Sequence, residues 1–165
     1  MLILGVDPGT ATTGYAVVGE EGSRLTMHAL GVLRTAASSP MERRLVDIYR
    51  GISELMERYR PGAVAVEKVF FSRNVGSAMT VGQARGVVIL AAGERGLSVL
   101  EYSPPEVKAA VTGHGNASKR QVQLMVQSLF SMESMPTPDD AADAAAVAVC
   151  ALNRRGWDQR VGDGR

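Results

Sequence analysis

The run Leu2-Ile3-Leu4-Gly5-Val6-Asp7-Pro8-Gly9-Thr10 constrains the fold more than any other stretch of the chain. A short apolar segment closed by turn residues reads as a buried strand, here from about Leu2 to Val6. Pro8 has no N–H to give a ladder and Gly9 accepts tight-turn angles, so the strand stops there. Asp7 is thereby placed at the carboxyl end of a buried strand, the edge where open α/β sheets bind ligands. Taken alone, Asp-Pro-Gly is more often a turn cap than a ligand, and the rest of the chain has to decide.

Thr13 to Val18 reads as a second strand and Leu25 to Leu33 as a third, with Gly19-Glu20-Glu21-Gly22 as the turn between them. Such short connections predict an antiparallel meander. Ser39-Pro40-Met41-Glu42 signals a helix start, with Ser39 as cap, Pro40 at the first position and Glu42 completing a capping box. Leu45, Ile48, Ile52, Leu55, Met56 and Tyr59 follow at helical spacing up to Pro61-Gly62. Ala63 to Val66 is another buried strand closed by a carboxylate, Glu67. The helix before it supplies the crossover that lets it lie parallel to the first strand.

A small-residue helix is expected from about Ser77 to Arg95, with Gly82, Ala84 and Gly86 allowing close packing on the sheet; Gly82 and Gly86 equally suit contact with a second copy. Leu97 to Tyr102 is a fifth strand. Ser103-Pro104-Pro105-Glu106 caps a helix to about Val111, Gly113-His114-Gly115-Asn116 is a loop, and Ser118-x-x-Gln121 caps a helix to about Phe130. After a turn from Met135 to Pro138, a last helix runs from Asp139 to about Asn153, alanine- and valine-rich on its buried side. The chain thus reads as one α/β domain over residues 1–153, with a polar, loosely ordered tail over 154–165.

A length of 165 residues suits one domain, burying roughly 70% of its unfolded surface. No run reaches the ~18 apolar residues of a membrane span, and the first apolar run is too short for a signal peptide. Cys150 is the single cysteine, which leaves neither a disulfide framework nor a thiolate metal site. These features read as cytoplasmic. A net charge of +1 says nothing about nucleic acid by itself. Residues 68–120 are more informative: Lys68, Arg73, Arg85, Arg95, Lys108, Lys119 and Arg120 stand against Glu94, Glu101 and Glu106. That imbalance suits a polyanion on one face, or an ordinary solvated surface.

The acids can now be assembled. If the first and fourth strands are parallel neighbours, Asp7 and Glu67 emerge side by side. Asp140 and Asp143, three apart, share a helical face, and Asp139 is expected to point elsewhere. Acids at a helix start are favoured by the macrodipole, so Asp139 and Asp140 alone read as caps. Asp143 among alanines, and Glu67 after Ala-Val-Ala-Val, are harder to dismiss, because a buried unpartnered carboxylate is costly. A shared cation explains them best. Four carboxylates without thiolate or histidine form a hard-oxygen set, suited to Mg²⁺ with Mn²⁺ as substitute rather than Zn²⁺.

Asp7-Pro-Gly-Thr with Thr13-Gly-Tyr, Ala65-Val-Glu67-Lys-Val-Phe70, Gly82-Gln-Ala-Arg-Gly86, and Asp140-Ala-Ala-Asp143-Ala resemble the RuvC Holliday junction resolvases. Val107-Lys108, Gly113-x-Gly115, Lys119-x-Gln121-Val122 and Met125-Val126 continue the similarity, which extends to about Ala151. The resemblance implies an RNase H-like fold with sheet order 3-2-1-4-5 and the second strand antiparallel. It implies a homodimer that nicks opposing strands of a four-way DNA junction in recombination and repair, leaving 5′-phosphate and 3′-hydroxyl ends. Divalent metal and partnership with the RuvAB branch-migration complex are implied as well. By position, Asp7, Glu67, Asp140 and Asp143 are the catalytic and metal-holding acids. Phe70 matches the ring placed against bases near the crossover, though Phe71 beside it leaves open which ring is exposed. Lys108 and Lys119 match basic residues at the DNA backbone.

Hydrolysis of a phosphodiester suits two cations ~3.5–4 Å apart, with Asp7 the central ligand and Lys119 neutralising phosphate charge. The Gly113–Gly115 loop offers N–H groups to a phosphate or is a plain turn, and His114 is expected only to lie nearby. Three other readings compete. An ATP-binding domain of the actin and sugar-kinase type also begins with a strand and Asp-x-Gly-Thr, but needs a second phosphate loop and usually a second domain. A metal-free DNA-binding module would not need four convergent acids. An RNA-hybrid nuclease shares the fold, and Phe70, Lys108 and Lys119 favour the junction over it.

Overall fold

The computed structural model describes residues 1–22, 24–68 and 75–162. Five strands form one sheet among them: β1 (Leu2–Asp7), β2 (Thr12–Glu21), β3 (Arg24–Arg34), β4 (Ala63–Glu67) and β5 (Ser98–Tyr102), in the order β3-β2-β1-β4-β5. β2 runs antiparallel to β1 and β3, while β4 lies parallel to both β1 and β5. This is the order and orientation that the resemblance implied. The β2–β3 turn is tighter than the expected four-residue segment. Pairing persists to Glu21 opposite Arg24, and Gly22 supplies the left-handed turn with φ 63.

Five helices cover the sheet: α1 (Met41–Tyr59), α2 (Val75–Glu94), α3 (Pro104–Thr112), α4 (Lys119–Leu129) and α5 (Asp139–Gly162). The start of α1 departs from expectation. Ser39 does not cap it, because the helix starts one residue later, with Pro40 at the cap position and no side-chain bond there. At the other end of the chain α5 runs to Gly162, beyond the helix end expected near Asn153. A polar composition argued against burial there, and that is no argument against helix.

Strand alternation divides the core in two. Leu4, Val6, Val17, Val64 and Val66 face α1 and α2, where Ile48, Ile52, Met56, Ala84 and Val88 fill the layer. Ile3, Ala16, Val18, Ala63 and Ala65 face the other way, against α5 with its run Ala144–Leu152 and against Val107, Val111, Val122 and Val126 of α3 and α4. On this second side α5 touches the sheet through main chain. A Cβ added at Gly5 would lie 2.1 Å from the Ala144 carbonyl oxygen, and one at Gly14 would lie 2.0 Å from that of Asp140.

The glycines of α2 behave differently. Gly82 and Gly86, expected to pack on the sheet or on a second copy, face open space, and Ala84 alone of the three is buried. Among the described residues no helix is long and apolar enough to cross a membrane.

Candidate active site

The same alternation that builds the core aims the first two acids. Counting from Ile3 and Gly5 on β1, and from Ala63 and Ala65 on β4, Asp7 and Glu67 fall on the α5 side. Val6 pairs with Val66, so the two carboxylates stand one step beyond, on adjacent parallel strands. Asp7 also pairs with Gly14, the glycine on which the first turn of α5 rests. That contact carries Asp140 and Asp143 down to the sheet edge.

The electrostatics record the result. Burial, reinforced by Asp143, Asp140 and Glu67, pushes the Asp7 carboxyl up to about 7, with Lys119 only partly opposing the rise. Glu67 is raised by burial and by Asp143, against Lys108 and Lys119. Asp143 is raised by burial, against its bond to Lys119. A cavity of about 210 Å³ joins Glu67 and Asp143 to Lys108 and Lys119, with Pro104, Val107 and Val122 as its apolar wall.

Lys119 sits at the first position of α4, which is held by a capping box. Ser118 Oγ accepts from the Gln121 N–H at 3.2 Å, and the Ser118 N–H donates to Gln121 Oε1 at 2.7 Å. From there Lys119 Nζ donates to Asp139 Oδ2 at 3.0 Å and to Asp143 Oδ2 at 3.1 Å. Burial works against the ammonium, but these two bonds outweigh it and hold its pKa above the usual value. The bond to Lys119 in turn keeps Asp139 below the ordinary carboxylate range. Asp139 therefore does not point away as expected. It lies four residues before Asp143, which is also a helical neighbour spacing, and shares one ammonium with it.

Lys108 reaches the cavity from α3, whose start is held by the Ser103 N–H donating to Glu106 Oε2 at 2.8 Å. His114 is not brought to the acids. It lines a separate cavity with Thr112, Gln121, Leu124 and Met125. Two of the loop's N–H groups are used internally, from Gly113 to the Ala109 carbonyl at 2.9 Å and from His114 to Thr112 Oγ1 at 3.2 Å, as at a helix end. Phe70, Phe71 and Arg73 lie outside the described residues. Of the remaining basic residues in the middle third, Arg85 is paired with Glu101 and Arg95 with Glu57.

A divalent cation can be tested against this arrangement. Among the described residues no three His, Cys, Asp or Glu side chains are closed into a ready-made cage. The donor set nevertheless fits: its donors are all carboxylate oxygens, the hard type that Mg²⁺ and Mn²⁺ take. Their mutual repulsion at Asp7 exceeds what Lys119 neutralises.

A mixed sheet in this order, with acids at the β1–β4 edge facing a helix that brings more, defines the RNase H-like class of nucleases. A family model described as crossover junction endodeoxyribonuclease RuvC matches residues 3–151. A protein of that name from Heliobacterium modesticaldum is 51% identical over 157 residues, covering 95% of this chain and 97% of the relative. The solved structure of T. thermophilus RuvC in complex with Holliday junction substrate superposes with a TM-score of 0.89 at 38% identity, covering 95% of this chain and 96% of that one. The yeast mitochondrial Holliday junction resolvase Ydc2 shares the fold, with a TM-score of 0.68 at 16% identity over 93% of this chain and 78% of its own. The chain belongs to the RuvC family of crossover junction endodeoxyribonucleases.

Proposed function

We propose that this endonuclease acts as a homodimer that nicks opposing strands of four-way DNA junctions, with Asp7, Glu67, Asp140 and Asp143 holding Mg²⁺ or Mn²⁺ in each site. The observation that carries the reading is the convergence of acids from β1, β4 and α5 on Asp7, whose carboxyl burial and like charge push up to about 7. The chemistry such ions supply when bound is activation of the attacking water and stabilisation of charge on the leaving 3′ oxygen. Asp7, central in the cluster, would be the first of the residues that hold them. Lys119 places positive charge at the phosphate while Asp139 keeps the ammonium at the site. Lys108, across the cavity, contacts the DNA backbone.

Dimer formation is assigned to the outer face of α2. Met79 and Leu90 are 63% and 56% exposed there, and Gly82, Gly86 and Gly93 beside them face open space. A bare, partly apolar stripe of this kind lets a second helix approach closely. Two-fold pairing would present two identical sites to a nearly two-fold junction. Phe70, by resemblance, stacks on a base at the crossover, a contact worth ~1–3 kcal/mol.

Cleavage of a synthetic four-way junction with Mg²⁺, comparing wild type with Asp7→Asn, tests the reading. The expected outcome is full binding by the variant with cleavage reduced by about 10³-fold, the upper range for removal of one transition-state-stabilising group. A wild type that cuts linear duplex or an RNA hybrid as readily would overturn the junction assignment.

A further inference from the structure

Arg44 lies in the first turn of α1, and its guanidinium is fixed at one end only. Its Nε donates to Thr35 Oγ1 at 2.8 Å. The same hydroxyl donates to the Thr10 carbonyl, and the Thr35 N–H donates to the Ala11 carbonyl at 3.1 Å. The turn that follows Asp7 is further closed by Thr13 Oγ1 on the Gly9 carbonyl at 2.7 Å. Arg44 is thus braced, through Thr35, against the segment that begins at Asp7.

What the brace leaves over is informative. Arg85, Arg95 and Arg154 each meet a carboxylate. Among the described residues Arg44 meets none, and none of them supplies an acceptor to either of its terminal nitrogens. A half-buried guanidinium thereby holds four N–H donors in a fixed plane without an anion. A planar, bidentate fork is the donor geometry that matches a phosphate. Thr35, which carries the brace, directly follows β3, and β3 lies two strand spacings, ~10 Å, from β1 in the sheet, about the axial rise of three nucleotides in one strand.

We propose that Arg44 binds a backbone phosphate of the DNA about three nucleotides from the cut, on the side of Asp7 opposite Lys108 and Lys119. This rests on the DNA-cleaving reading above. The two lysines and Arg44 would then hold the strand on both sides of the acids, so the scissile bond is positioned by a three-point contact.

The test measures junction affinity without Mg²⁺ across a KCl series, with thermal midpoints, for wild type, Arg44→Gln and Thr35→Val. Arg44→Gln is expected to bind about tenfold more weakly near 0.1 M salt, with the slope of log K against log salt shallower by about 0.9 for one lost phosphate contact. Thr35→Val removes the brace but keeps the charge, so it should keep the full slope. Equal losses in both variants with unchanged slopes would mean a purely structural brace and overturn the assignment. A scan of single neutral methylphosphonate linkages needs no variant. Wild type should weaken at one linkage two to four nucleotides from the cut, and indifference to all of them overturns the assignment. Failure of wild type to bind any junction would instead sink the reading of function, which keeps the two failures distinct.

Discussion

The two faces of the sheet are built on opposite principles. Toward α1 and α2 the layer is filled by Ile48, Ile52, Met56, Val64 and Val88, branched or long side chains that interlock. Toward α5 the layer is thin, because Gly5 and Gly14 let the helix rest its backbone directly on the strands. All four acids of the proposed tetrad are on the thin side. Where side chains interlock, a volume change is absorbed by neighbours shifting rotamer. Where backbone meets backbone nothing can shift without moving the helix, so Asp140 and Asp143 keep a fixed height above Asp7. The thick face supplies stability and the thin face supplies position.

That contrast can be broken most sharply at Gly14. Gly14→Ala forces a Cβ to within 2.0 Å of the Asp140 carbonyl oxygen, so the start of α5 must lift. A displacement near 1 Å costs on the order of 10²-fold in rate, and single-turnover junction cleavage should show it. Ile52→Ala on the thick face should do the reverse. It is expected to cost ~2–5 kcal/mol of stability while leaving cleavage within about twofold at temperatures where the chain stays folded. Equal effects of both variants on rate would erase the distinction.

A smaller effect is expected at Asp139, which reaches the proposed site through its bond to Lys119. Asp139→Asn should lower cleavage about tenfold, the lower range for loss of a supporting partner. Asp139→Glu should restore part of it. Junction affinity measured without metal should stay within a factor of about two or rise slightly, since one negative charge is removed.

The smallest effect is a stability shift in the metal-free chain, confined to the thin face. The Asp7 carboxyl is neutral in the folded chain up to about pH 7 but ionises near pH 4 when unfolded. Between those values the folded state binds the extra proton, so stability falls as pH rises and levels off above 7. Asp7→Asn cannot ionise. Its melting temperature should match wild type near pH 4 and exceed it by a growing margin up to pH 7, at ~1.4 kcal/mol per unit. Saturating Mg²⁺ should close the gap at pH 8. A variant that melts with wild type at every pH would show that Asp7 is not electrostatically strained.

Much of this was legible in the sequence, for identifiable reasons. A short buried run stopped by Pro8 and Gly9, and a second closed directly by a carboxylate, placed Asp7 and Glu67 at strand ends, and the Asp140-Ala-Ala-Asp143 spacing gave a shared helical face. Other features depend on neighbours distant in the chain. Asp139 was misjudged because spacings of three and four both return to one face, and only the position of Lys119, twenty residues earlier, selects between them. The direction of Gly82 and Gly86 was ambiguous because a residue without a side chain carries no hydropathy to orient it. Ser39 has no capping role because the helix starts one residue later, with Pro40 at the cap, and patterns fix boundaries less firmly than elements. Arg44 gave no signal at all, since an arginine in the first turn of an amphipathic helix looks like solvent-facing charge until Thr35 is placed beside it.

The contact between Gly14 and the Asp140 carbonyl has one further consequence. Main-chain atoms have no rotamers, so the gap between β2 and α5 works like a machined shim whose thickness is a sum of van der Waals radii. Heating loosens side chains long before it changes such radii. The spacing of the acids should therefore hold until α5 detaches, and activity should fail abruptly at that point rather than fade as the core softens.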